Sequence, residues 1–262
     1  MESFEELFGV AERLNQMARR ADENDIKLPT DALEGAAKKV GRSFSGSWLG
    51  CHSYIYYNKL IQPPPGAYFS QEWGLREDEW LGLGSTGDWR EYDPDHIKCY
   101  ILEQAGNPDL AVLRKIAQPA GEEFEMAKSE IISILTIEIS NNKAAFLEGL
   151  LDHLNKINLT SQREFTERMR PQGKFITRDG SALGQVITIP PHLDILADIL
   201  SIRHTFGACK AAANIADKAA SHLERQARKK GKLKQMGASV FIGHGRSGAW
   251  RELKDFVQNR LK

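Results

Sequence analysis

Apolar residues recur at three- and four-residue steps along most of the chain, a pattern that predicts a mostly helical protein. Over residues 3–22, Phe4, Leu7, Phe8, Leu14 and Met17 fall on one stripe with charged residues opposite, as in an amphipathic helix. Thr30, after Pro29, reads as an N-cap, so a second helix is expected from there to about Val40. Helical spacing returns after Pro94, with Leu110, Leu113 and Ile116 on one stripe and Phe124, Ala127, Ile131, Ile134 and Leu135 on the next. The β-branched content of the latter allows its end to be strand. Phe146, Leu147, Leu150, Leu151 and Leu154 mark a further helix. The most regular register is Ile195, Ile199, Ile202, Phe206, Cys209, Ala213, Ala216, Ala220 and Leu223, where every step is four or three and every residue apolar or small. One narrow seam on a long helix serves close packing on the chain's own helices, or a homo-oligomer formed through 195–223.

The helical period breaks between Ser43 and Tyr92. This stretch holds Trp48, Trp73, Trp80 and Trp89, the run Tyr54-Ile55-Tyr56-Tyr57, and three prolines before Gly66, which predicts short strands and ordered loops. Trp48, Tyr54, Tyr57, Phe69, Glu72 and Trp73 are candidates for a ligand pocket or partner face, and core filling of a small β subdomain accounts for most of them equally well. Farther on, Phe175–Thr177 and Val186–Ile189 flank a polar turn at Asp179-Gly180 and read as a hairpin. The fold class is therefore α+β: a mostly helical N-terminal region with a small aromatic β subdomain and a hairpin (1–190), a long connector helix ending in a basic linker (191–236), and a terminal unit (237–262). The linker carries Arg225, Arg228, Lys229, Lys230, Lys232 and Lys234 without an acid, a pattern typical of a helix C-terminus running into solvent.

Charge adds little: 35 basic residues balance 35 acidic ones, so net charge points to neither nucleic acid nor an anionic membrane. Three cysteines without CxxC spacing argue against a disulfide framework or zinc site. The acidic N-terminus has no apolar signal region, and no run approaches a membrane span, so a cytoplasmic protein is expected. Cys51 beside His52 suggests a nucleophile pair, but neighbours on a strand face opposite ways. His96 with Asp93 and Asp95 fits a capped helix start better than a metal site.

The terminal unit carries the one motif with chemistry. Ala238-Ser239-Val240-Phe241-Ile242 reads as a buried strand, Gly243, Gly245 and Gly248 form GxGxxG, and a helix follows. Glycines there let backbone N–H groups approach a phosphate at a helix N-terminus. The acidic ribose-binding residue of a dinucleotide fold, about 20 residues on, would fall at or past Lys262, which disfavours an oxidoreductase. The run "VFIGHGRSGAWRELKDFVQNRL", Val240–Leu261, resembles the first strand, loop and helix of bacterial TIR-like nucleotide-binding proteins, with Gly248 where relatives often have Pro.

That resemblance implies the first βα unit of a flavodoxin-like α/β domain, NAD+ as substrate of the completed domain, no prosthetic group, and a role in anti-phage defence. It places Gly243, His244, Gly245, Arg246 and Ser247 at the nucleotide rim, Arg246 as a phosphate contact. The catalytic glutamate belongs to a later helix than any the sequence contains, so this chain alone is expected not to turn over NAD+. The other reading is a non-enzymatic helical binding or oligomerisation protein whose terminal βα unit is structural.

Overall fold

The structure is a computed structural model that describes residues 2–76, 82–142, 144–237 and 255–256. Helix α1 (Ser3–Arg19) forms where the first stripe predicts it. Its start is closed by Glu2 and Glu5 in a capping box, with the Glu2 N–H donating to the Glu5 carboxylate at 3.0 Å. Helix α2 (Asn24–Gly41) starts earlier than expected, and Thr30 is not its cap. Thr30 lies buried in mid-helix, its hydroxyl donating to the Ile26 carbonyl at 2.8 Å. Pro29 costs the helix one i→i−4 bond. Burial of Ile26, Leu33, Ala37 and Val40 on one face offsets that loss.

The aromatic segment contains strand β1 (Ile55–Tyr57) paired antiparallel with β2 (Trp89–Glu91), Tyr56 opposite Arg90. Helix α3 (Pro94–Gln104) follows, capped by the Asp93 carboxylate, which accepts from the Asp95 and His96 N–H groups. The two stripes after it belong to one helix, α4 (Leu110–Asn142), so the expected strand at its end is corrected. Ile131, Ile134 and Leu135 are all buried on its inner face, and that burial overrides β propensity. Helices α5 (Ala145–Lys156) and α6 (Gln162–Met169) complete the layer around α7 (Pro191–Gly237).

The predicted hairpin does not form. Residues 186–188 instead pair with 48–50: the Gly50 N–H donates to the Val186 carbonyl at 3.0 Å, the Thr188 N–H to that of Trp48 at 2.8 Å. The β-rich arm finds its partner across the sequence rather than beside it. Residues 173–189 thus form a strap over the aromatic unit.

Helix α7 is the axis of the body. It packs most extensively on α1, then on α4, α2 and α6. All nine seam residues are buried, and Ala213, Ala216 and Ala220 have no exposed surface at all. The seam is filled within the chain, so association of copies through 195–223 would need the helix's other faces. Among the described residues no helix is long and apolar enough to cross a membrane. Of the flavodoxin-like unit expected at 237–262, only Gly237, Asp255 and Phe256 are described, all helical; its strand and glycine loop lie outside the described residues.

Phe206, 1% exposed in mid-seam, tests this arrangement. Phe206→Ala should lower the unfolding free energy by about 3–5 kcal/mol in urea titration. A loss under about 1 kcal/mol would mean that the seam is not core.

Candidate functional site

The structure divides the aromatic residues singled out by sequence between the core and surface contacts. Trp48 and Phe69 are core, each 4% exposed. Phe69 meets Trp89 at 5.8 Å between ring centroids, and Trp89 meets Tyr57 edge-on at 5.4 Å. Tyr54 is half-buried. Glu72 and Trp73 are brought together by the strap: Arg178 donates to the Glu72 carboxylate at 2.8 Å and lies 5.4 Å over the Trp73 ring.

The strap and the aromatic unit meet at a polar cluster that the sequence did not single out. Gly50–Tyr54 is a 3-10 turn rather than a strand, and it sends the neighbours Cys51 and His52 to different partners. His52 is fully buried; its Nε2 lies 2.6 Å from Asp179 Oδ2, and its Nδ1 lies 3.2 Å from Ser47 Oγ. Asp179 also accepts from the Ser181 N–H at 2.9 Å and the Ser181 hydroxyl at 2.6 Å. Burial pushes the Asp179 carboxyl up, but Ser181 and His52 together outweigh it and hold it below the usual carboxylate range. Cys51 turns the other way, its thiol 3.6 Å from the Ser181 hydroxyl and its N–H donating to Gln185 at 2.9 Å.

Two glycines make this close fit. Gly74 (φ +66°) lies so near the strap that a Cβ would fall 2.0 Å from Asp179 Oδ2, and a Cβ on Gly50 (φ +49°) would strike the Gln185 side chain. Sequence periodicity shows neither, because both contacts join residues more than a hundred positions apart.

The cluster borders a cavity of about 320 Å³ whose wall includes Cys51, Arg76, Glu91, Asp179 and Ser181. Ser47, His52 and Asp179 are the residue types of a hydrolytic triad. Ser47, however, is buried, accepts from the Leu49 N–H at 3.4 Å, and does not line this cavity. A nucleophile has to reach its substrate. The three residues act as a clamp on the strap.

A second buried polar contact ties the aromatic unit to α7. Tyr56 Oη lies 2.8 Å from Nδ1 of His192, the second residue of that helix. Burial drives the Tyr56 phenol pKa well up and pushes His192 down to about 4. A neutral imidazole therefore faces a protonated phenol, and the phenol can donate to Nδ1.

Among the described residues no group of three or more His, Cys, Asp or Glu side chains could hold a metal ion. Gly243, His244, Gly245, Arg246 and Ser247, the expected nucleotide rim, lie outside the described residues. Compared with family models, curated proteins and solved structures, the chain has no match.

The His192 environment sets a pH dependence. Its folded pKa of about 4 lies below the unfolded value near 6.5, so the unfolded chain binds the proton more readily between those values. The contribution is present above about pH 6.5 and lost as pH falls towards 4, about 3 kcal/mol in all. Unfolding titrations of His192→Gln at a series of pH values should show a flatter slope across this window. An unchanged slope would contradict the assignment.

Proposed function

We propose that the chain is the sensor or regulatory part of a TIR-like, NAD+-cleaving anti-phage defence protein, in which α7 couples the helical body to a nucleotide-binding unit that begins near Val240. The observation that carries this reading is the continuity of α7. Its first turn holds the aromatic unit through His192, its middle is the core of the body, and the same helix runs on to Gly237, next to the segment with the TIR-like resemblance. A helix of this length transmits rotation or displacement better than a flexible linker, because each residue is tied to its neighbours one turn away. The strap adds a second coupling: it is clamped at Asp179 and leads through Pro190 directly into α7.

The nucleotide assignment rests on the sequence pattern of Gly243, Gly245 and Arg246, residue types that can offer backbone N–H groups and one guanidinium to a phosphate. Calorimetric titration of the chain with NAD+ should show saturable binding. Arg246→Ala should weaken it at least about tenfold, as expected for loss of a charge-assisted bond. Absence of binding, or binding indifferent to both Arg246→Ala and Gly245→Val, would overturn the reading.

A further inference from the structure

A solvent-open groove of about 310 Å³ lies between α4, the residues leading into α6, and α7, at the lower end of the range for small-molecule sites, about 300–1,000 Å³. We infer that this groove binds a small uncharged heterocycle of the nucleoside type, one bearing an amide-like edge with both a hydrogen-bond acceptor and N–H donors. That it regulates α7 rests on the sensor reading above; the binding itself does not.

The hydrogen-bond inventory of the wall sets the ligand's chemistry. His204 Nε2 faces the Asn158 carbonyl at 3.0 Å and Thr160 Oγ1 at 3.1 Å. A carbonyl only accepts, so Nε2 carries the hydrogen and Thr160 Oγ1 is an acceptor. Arg168 approaches the same oxygen at 3.5 Å. Thr160 is 7% exposed and lines the groove, yet its own O–H has no acceptor among the described residues. That is a buried donor available to a ligand oxygen or ring nitrogen.

Ser201 and Thr205, on the α7 wall, are the converse. Each spends its hydroxyl hydrogen on a helix carbonyl, Asp198 at 2.8 Å and Ser201 at 3.1 Å respectively. Towards the groove they can only accept, which suits ligand N–H groups. Arg114 does not make the site anionophilic: its Nε and Nη2 are committed to the buried Asp198 carboxylate at 2.8 and 2.5 Å. Glu164 and Asp198 offset Arg114 and Arg168, so the wall has no net positive charge to favour a phosphate or carboxylate. Ala117, Leu159 and Ile202 supply apolar surface for a flat ring.

The floor of the groove gives an independent argument. Gly121 sits in the middle of α4, where glycine is a poor helix former. A Cβ there would meet Leu159 and Thr205 at 3.5 Å, an ordinary contact, and φ is not positive. Packing therefore does not demand glycine at this position, and alanine would favour the helix. What glycine preserves is the depth of the groove. Pro119, two residues before it, also weakens α4 at this point. A ligand bridging α4 and α7 would therefore stiffen the body where Pro119 and Gly121 weaken α4.

Uridine and adenosine are the uncharged probes, with UMP and AMP as their anionic counterparts, titrated calorimetrically into the full chain. At least one nucleoside should bind saturably with a Kd below about 1 mM, and more tightly than its monophosphate. Thr160→Val, isosteric but lacking the hydroxyl, should weaken that binding about fivefold. Gly121→Ala should raise Tm while reducing binding, which separates loss of the site from loss of the fold. Arg246→Ala should leave nucleoside binding unchanged, so failure of the NAD+ reading would not mask this result. No saturable binding by either nucleoside, binding indifferent to both groove variants, or tighter binding of the monophosphates would overturn the proposal.

Discussion

The burial of the alanine-rich seam of α7 within the body, where α1 is its most extensive partner, is the constraint on which the rest of the structure depends. Alanine contributes little apolar area, so its value lies in distance: without larger side chains between them, two helix backbones approach closely and the residues at the edges interdigitate. Ala213, Ala216 and Ala220 are fully buried along the C-terminal half of the seam, while the larger Ile195, Ile199, Ile202 and Phe206 are buried along its N-terminal half. Helices α2, α4 and α6 then pack around a ready-made axis. Their polar fixings are made to α7 as well: Arg114 of α4 with Asp198, Gln162 of α6 with Asp194, and Arg203 of α7 with Thr30 and Asp31 of α2.

The aromatic unit depends on this axis rather than on its own sheet. Two three-residue strands cannot support an independent core. The unit gains its stability from Tyr56 against His192, from Phe44 packed on both rings, and from the strap clamped between His52 and Asp179. Buried polar pairs of this kind fix one arrangement at the expense of stability in acid, since a neutral His192 resists protonation only while it stays buried.

Where a residue's role is set by periodicity, the sequence reveals it. The α7 seam, the stripe of α1 and the Leu-rich α5 face are all legible because the burying surface is helical and the signal repeats. Thr30 misleads because a hydroxyl after proline resembles a cap, whereas here it bonds back to Ile26 within a helix that tolerates Pro29. The supposed hairpin misleads because β propensity names a strand but not its partner, and residues 48–50 are a better partner than the opposite arm. The His52–Asp179 and Thr160–His204 contacts carry no local signal: they join residues 127 and 44 positions apart, and only the folded chain brings them together.

The central claim, that α7 is the internal axis of the body, is tested most directly by native-state amide hydrogen exchange. The account predicts that amides from Ile199 to Ala220 exchange only through global unfolding, with protection equal to the full unfolding free energy, while the strap and α6 open at lower cost. Exchange of the α7 amides faster than those of α1 or α4 would contradict it, and would make α7 a peripheral connector.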